Sequence, residues 1–264
     1  MPESGAARLE RTFREAGRPL FVPYVMGGFP DIEASRRHAR ILARHADIIE
    51  LGIPFSDPLA DGPTIQAAGQ AALDAGTRPM DVLAIADELR DGPPVVAMTY
   101  YNTVIAQGAT EFLRQAADYG VAGIIIPDLP VDEATEVRDA ARDAGVALVA
   151  LAAPTTDDDR MAEIGRSAEG FVYLVAVTGV TGGEMSMDDR LRALVERARR
   201  HIPVPVVVGF GVRTPGQAAQ IGELADGVVI ASEIIRRIDA AADPDAADAE
   251  VQSFGEGIAA ALRP

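Results

Sequence analysis

The 264-residue sequence predicts an α/β protein, a single (β/α)8 TIM barrel. Three observations predict it. Eight short apolar runs alternate with longer segments of helical period. Most of these runs are continuously apolar, as parallel strands covered on both faces require. No linker rich in Gly, Ser or Pro divides the chain, so one domain spans 1–264. The rival architecture, a doubly wound open sheet, needs a phosphate-binding glycine fingerprint after its first strand, and Met26-Gly27-Gly28-Phe29-Pro30 does not supply one.

Taken in order, an amphipathic segment at 6–16 gives an extra N-terminal helix ahead of the barrel. Strands are expected at 21–26, 47–51, 95–99, 123–127, 146–151, 171–175, 204–209 and 227–230. Helices are expected at 32–45, 65–75 with 79–90, 110–119, 132–144, 157–164, 188–201, 215–224 and 232–240. Several of them open on Asp, Thr or Ser, residues that cap the free N–H groups of a first turn. The Ala- and Asp-rich stretch 239–250 is the one low-complexity patch, read as a separator before a short C-terminal closing helix at 251–262.

Composition removes several kinds of chemistry. With no Cys there is neither disulfide nor thiolate, and His38, His45 and His201 match no zinc spacing. The basic residues, 24 in all, are Arg without exception, so no side-chain Schiff base can form. A net charge of −16 and a pI near 4.6 argue against nucleic-acid or anionic-membrane partners. Segment 1–19 has no apolar signal core and no run is long enough to span a bilayer, so a cytoplasmic protein is expected.

In a barrel of this kind the chemistry belongs to the loops that follow the strands. The stretch after the second strand, Glu50 to Gln66, reads ELGIPFSDPLADGPTIQ and holds Glu50, Asp57 and Asp61 among three prolines. Proline fixes φ, so the loop is stiff. Each acid singly is compatible with a solvated connection, and spacing alone names no reaction. Loops after the sixth, seventh and eighth strands are rich in Gly, Thr and Ser: 176–187, Gly209-Phe210-Gly211, and Ala231-Ser232 at a helix start. Backbone N–H groups of such loops, facing a helix N-terminus, suit a phosphate. The sixth loop suits a lid equally well.

ELGIPFSDPLADGPTIQ resembles the signature of the tryptophan synthase alpha chain family. So do Met98-Thr99-Tyr100-Tyr101-Asn102, Ile126-Pro127-Asp128-Leu129-Pro130, Ala153-Pro154-Thr155-Thr156, Thr178-Gly179-Val180-Thr181-Gly182 and Gly209-Phe210-Gly211-Val212, in the family's order across 21–238. The resemblance implies retro-aldol cleavage of indole-3-glycerol phosphate to indole and glyceraldehyde 3-phosphate. It implies no cofactor or metal in this chain, with pyridoxal phosphate confined to a partner beta chain in an alpha2beta2 complex. It assigns acid–base work to Glu50 and the indole nitrogen to Asp61. Phe21, Ile65, Met98, Tyr100, Ile125, Tyr173, Thr181 and Phe210 fall at its substrate-binding positions, and Gly182, Gly211, Ala231 and Ser232 at its phosphate site.

The implied chemistry agrees with the composition: without Lys, the electron sink has to lie in the substrate's own ring, protonated at indole C3 by Glu50. Asp57 is implied in lid closure and subunit contact, and Asp128 in organising loops. The chain departs from the family in three places. Ala231 stands where Gly is common, Glu233 lies close to the phosphate site, and Val177 replaces an Arg found in some members. Other readings are a stand-alone lyase releasing free indole, a non-catalytic barrel that activates a partner, and a different phosphosugar enzyme. Retention of Glu50 and Asp61 argues against the non-catalytic one.

Overall fold

The structure, a computed structural model, describes residues 3–175, 187–209 and 211–263, with side chains from 189 in the second segment. Among the described residues nine strands, all parallel, are hydrogen-bonded in the order β5-β4-β3-β2-β1-β9-β8-β7-β6. They are β1 (Leu20–Met26), β2 (Ile49–Gly52), β3 (Val95–Met98), β4 (Val121–Ile125), β5 (Ala147–Leu148), β6 (Ala150–Ala152), β7 (Val172–Val175), β8 (Val206–Gly209) and β9 (Gly227–Ile230). The two ends of this order, β5 and β6, are separated by Val149 alone, whose N–H donates to Ile124. They are halves of one pass, so the sheet returns on itself with eight staves.

Alternate residues of a strand point to opposite faces, and here they join different apolar clusters. Leu20 and Val22 of β1, Val207 of β8 and Val229 of β9 pack together along the barrel axis. Their neighbours Phe21, Val206, Val208, Val228 and Ile230 pack outward against the helices. Burial on both faces is what produced the continuous apolar runs.

The helices are α1 (Gly5–Ala16), α2 (Ile32–Ala43), α3 (Pro63–Asp74), α4 (Pro79–Glu88), α5 (Tyr101–Ile105), α6 (Ala109–Asp118), α7 (Thr135–Ala144), α8 (Asp158–Ser167), α9 (Met187–His201), α10 (Pro215–Gly222), α11 (Ser232–Ala240) and α12 (Pro244–Ala261). No helix among the described residues is long and apolar enough to cross a membrane. α1 closes the N-terminal end of the barrel. Its Leu9 is fully buried in the axial cluster, and Phe13 meets Phe171 at 5.7 Å between ring centroids. A Cβ on Gly5 would come within 1.8 Å of the Ala122 carbonyl oxygen, so glycine lets the helix settle on β4.

One expectation about an element needs correction, and one helix is additional. The closing helix is not short: α12 runs for 18 residues, and most of the Ala/Asp stretch is its first turns, capped by Asp243 accepting from the Ala246 N–H. Alanine is the best helix former, and Pro244 suits a first turn, so low complexity here was helix rather than linker. α5 was not anticipated; five residues are too few to show a period.

Candidate active site

With α1 closing one end, the cavity opens at the other, where the strands end. It measures about 410 Å3 and is lined by residues from β1, β2, β3, β6 to β9 and the loops that follow them. Glu50 is the second residue of β2, buried to 2% exposure among aliphatic strands. Its Oε2 atom has no hydrogen-bond partner among the described residues. Loss of solvent, reinforced by the negative charge of Asp61, raises its pKa from the ordinary 4.5 to about 8. The carboxyl is therefore protonated at neutrality, the form a general acid needs.

Asp61 reaches the same cavity from the loop after β2, and the loop is fixed at many points. Ile53 N–H donates to the Met98 carbonyl, Asp61 N–H to the Pro58 carbonyl, and the Gln66 amide to the Asp61 carbonyl. Pro63 then opens α3. Phe55 stacks on Tyr100 at 5.0 Å, and the Tyr100 hydroxyl accepts from Ala60 N–H while donating to the Asp61 carboxylate. Burial raises the Asp61 pKa to about 6, partly offset by that Tyr100 hydrogen bond. The two carboxyls thus straddle neutrality, one protonated and one ionised, an arrangement that separates acid from electrostatic work.

Ile65, Met98 and Tyr173 line the cavity beside the carboxyls. Tyr100 braces Asp61 from behind rather than lining the space. Two other assignments are also corrected. Phe21 is fully buried on the outer face of β1 among the helices, and Tyr24, three residues on and of opposite parity, takes the place at the cavity wall. Ile125 is buried in the axial cluster, against which Met98, Leu151 and Tyr173 pack, and it supports the cavity from below. Sequence reasoning also missed Leu151, Thr156, Val212 and Val229, which line it too. The strand register was the missing signal: Tyr24 pairs with Glu50 across β1 and β2.

At the far side Gly211, Ala231 and Ser232 line the cavity at the N-terminus of α11. Thr181, Gly182 and Phe210 lie outside the described residues, as do Val177 and all but the last residue of the segment 176–187 read as a lid. Ala231 has φ −115°, so its side chain is accommodated without a left-handed backbone. Glu233 is ion-paired to Arg236 and Arg237, each at 3.1 Å, which offsets its charge beside the helix N-terminus. The first N–H groups of a helix have no partner within it and favour an anion. Asp57 is exposed, takes the Ser56 hydroxyl at 2.6 Å and does not line the cavity. Asp128 accepts from Tyr101 N–H at 2.8 Å and so ties the loop after β4 to the start of α5.

Residues 11–263 match the family model described as tryptophan synthase alpha chain. Among similar chains, tryptophan synthase alpha chains of Picosynechococcus and Deinococcus radiodurans are each 42% identical. The first match covers 96% of this chain and 97% of the relative, the second 98% and 96%. Among solved structures, a tryptophan synthase of Mycobacterium tuberculosis is 34% identical over 100% of both chains with a TM-score of 0.89. Tryptophan synthase subunit alpha of Legionella pneumophila is 31% identical over 99% of each, with a TM-score of 0.88. The likeness thus covers the barrel, the acidic loop and the helix terminus together, and the chain belongs to the tryptophan synthase alpha chain family.

Proposed function

We propose that this chain is the lyase subunit of a tryptophan synthase, cleaving indole-3-glycerol phosphate to indole and glyceraldehyde 3-phosphate. The observation that carries the reading is the pair of carboxyls in one cavity, Glu50 with its pKa near 8 and Asp61 with its near 6. The indole ring occupies the apolar space between Ile65, Met98 and Tyr173, and the phosphate meets the backbone N–H groups at Gly211, Ala231 and Ser232.

Glu50 gives its proton to indole C3, which turns the ring into an iminium-like cation. Asp61, ionised, accepts the indole N1–H hydrogen bond and stabilises the positive charge as it develops. The glycerol C3′ hydroxyl then loses its proton to the Glu50 carboxylate, the bond between C3 and C3′ breaks, and its electrons return to the ring. Aldehyde and indole are released with Glu50 protonated again, so the cycle closes on one group. The reading assigns no cofactor to this chain. Pyridoxal phosphate belongs to the partner beta chain, which receives the indole in an alpha2beta2 complex in the cytoplasm.

The test is indole release from indole-3-glycerol phosphate, with and without a beta chain. Turnover that rises on adding the beta chain is expected. A folded chain that releases no indole in either arm refutes the activity, and equal rates in both arms refute the coupling.

A further inference from the structure

The reaction leaves one buried polar group of the cavity without a task. Tyr24 is buried on β1 at the level of Glu50 on β2, the two residues being register partners. Its ring leans across to the neighbouring strand, where a Cβ added to Gly52 would lie 1.9 Å from the Tyr24 hydroxyl. Gly52 follows Glu50 by two residues, so it shares the inward face of β2 and stands one layer nearer the mouth. The phenol end of Tyr24 thus lies over the strand that carries Glu50, in space that only a glycine leaves free. Tyr173 repeats the relation elsewhere in the barrel: its hydroxyl would meet a Cβ on Gly209 of β8 at 2.2 Å.

Hydrogen bonding around this pair is incomplete on both sides. The Tyr24 hydroxyl contacts the Met26 thioether at 3.8 Å, a weak acceptor. Glu50 Oε2 is buried with no partner among the described residues. A protonated carboxyl tolerates that vacancy, but a carboxylate buried without a donor is strongly disfavoured. In the reaction derived above, Glu50 becomes that carboxylate each time it protonates the ring.

We infer that Tyr24 is a positioning residue whose hydroxyl donates to the Glu50 carboxylate once Glu50 has given up its proton, holding it toward the cavity for the second transfer. The inference rests on the acid–base reading of Glu50. Tyr24 keeps its own proton throughout and changes no bond. Burial, with the charges of Asp61 and Glu50, pushes its phenol well above 10, so it remains a donor across the working pH range. The other titratable groups facing the pair are Asp61, Tyr100 and Tyr173. Asp61 repels the carboxylate, and Tyr100 is engaged with Asp61 and Ala60.

The test is Tyr24→Phe in the full chain, read in two ways. The first is the titration of Glu50, followed by NMR on carboxyl-labelled glutamate with the resonance identified by its loss in Glu50→Gln. Removing a donor to the charged form raises the midpoint by about 1 to 2 pH units relative to the unsubstituted chain. The second is indole release, where kcat falls about tenfold or more with KM within about twofold, as for an interaction made only along the reaction path. An unmoved or lowered midpoint overturns the inference, as does a raised midpoint with unchanged kcat. Full turnover by Glu50→Gln instead overturns the catalytic reading itself, a result the titration of Tyr24→Phe does not depend on.

Discussion

Replacing Glu50 by Gln separates two consequences of the same burial. In the folded chain Glu50 holds its proton up to about pH 8, whereas in the unfolded chain it titrates near its ordinary 4.5. Between those limits unfolding releases a proton, so rising pH favours the unfolded state. The native protein therefore loses stability through this group from pH 4.5 upward and stops losing it near 8. Each pH unit is worth about 1.4 kcal/mol, so the group costs about 3 kcal/mol at pH 7 relative to a neutral isostere. Glu50→Gln has no such dependence. Urea unfolding of both proteins at pH 5, 6 and 7 should show the variant gaining about 2.5 kcal/mol on the native chain across that range. Any packing or hydrogen-bonding cost of the amide is independent of pH and shifts the whole curve without changing its slope. Indole release by the same variant should fall by about 10² to 10⁴. Parallel pH dependences for the two proteins would mean Glu50 is ionised in the resting fold. The general-acid assignment would then fail.

Three further outcomes follow from the same geometry. The pH profile of kcat/KM for indole release should be a bell, rising as Asp61 ionises through about 6 and falling as Glu50 loses its proton through about 8; a rate flat from pH 5 to 9 would contradict it. Asp61→Asn should cut kcat by about 10² or more while phosphate-anchored binding persists, and should lower the Glu50 pKa by removing a neighbouring negative charge. Loss of binding measured by calorimetry, with the rate of bound substrate unchanged, would show Asp61 misassigned. Leu9→Ala should cost about 2 to 5 kcal/mol in urea unfolding, because the side chain fills the axial core beneath the barrel. A cost below about 1 kcal/mol would mean α1 does not close the barrel.

Much of the site was legible because its chemistry is carried by residues close in sequence. Glu50 and Asp61 lie 11 positions apart, one on β2 and the other in the proline-stiffened loop that follows it, and both line the cavity. Ile65, in the first turn of α3, and Met98, at the end of β3, line the same cavity. Phe21 and Tyr24 mark the limit. Both are aromatic residues of one continuous apolar run, and a strand buried on both faces carries no alternation to say which side chain points inward. The choice fell to the pairing of Tyr24 with Glu50 across two strands, which no local pattern encodes.

The sequence by itself determined the barrel, the order of its elements and the absence of thiol and lysine chemistry, since each follows from local periodicity or from residue types present or missing. Tertiary structure alone decided which faces of the strands meet, how dry Glu50 is, that Tyr100 holds Asp61, and that Gly52 makes room for Tyr24. Those are distances between residues on different strands, and they exist only once the sheet has closed on itself.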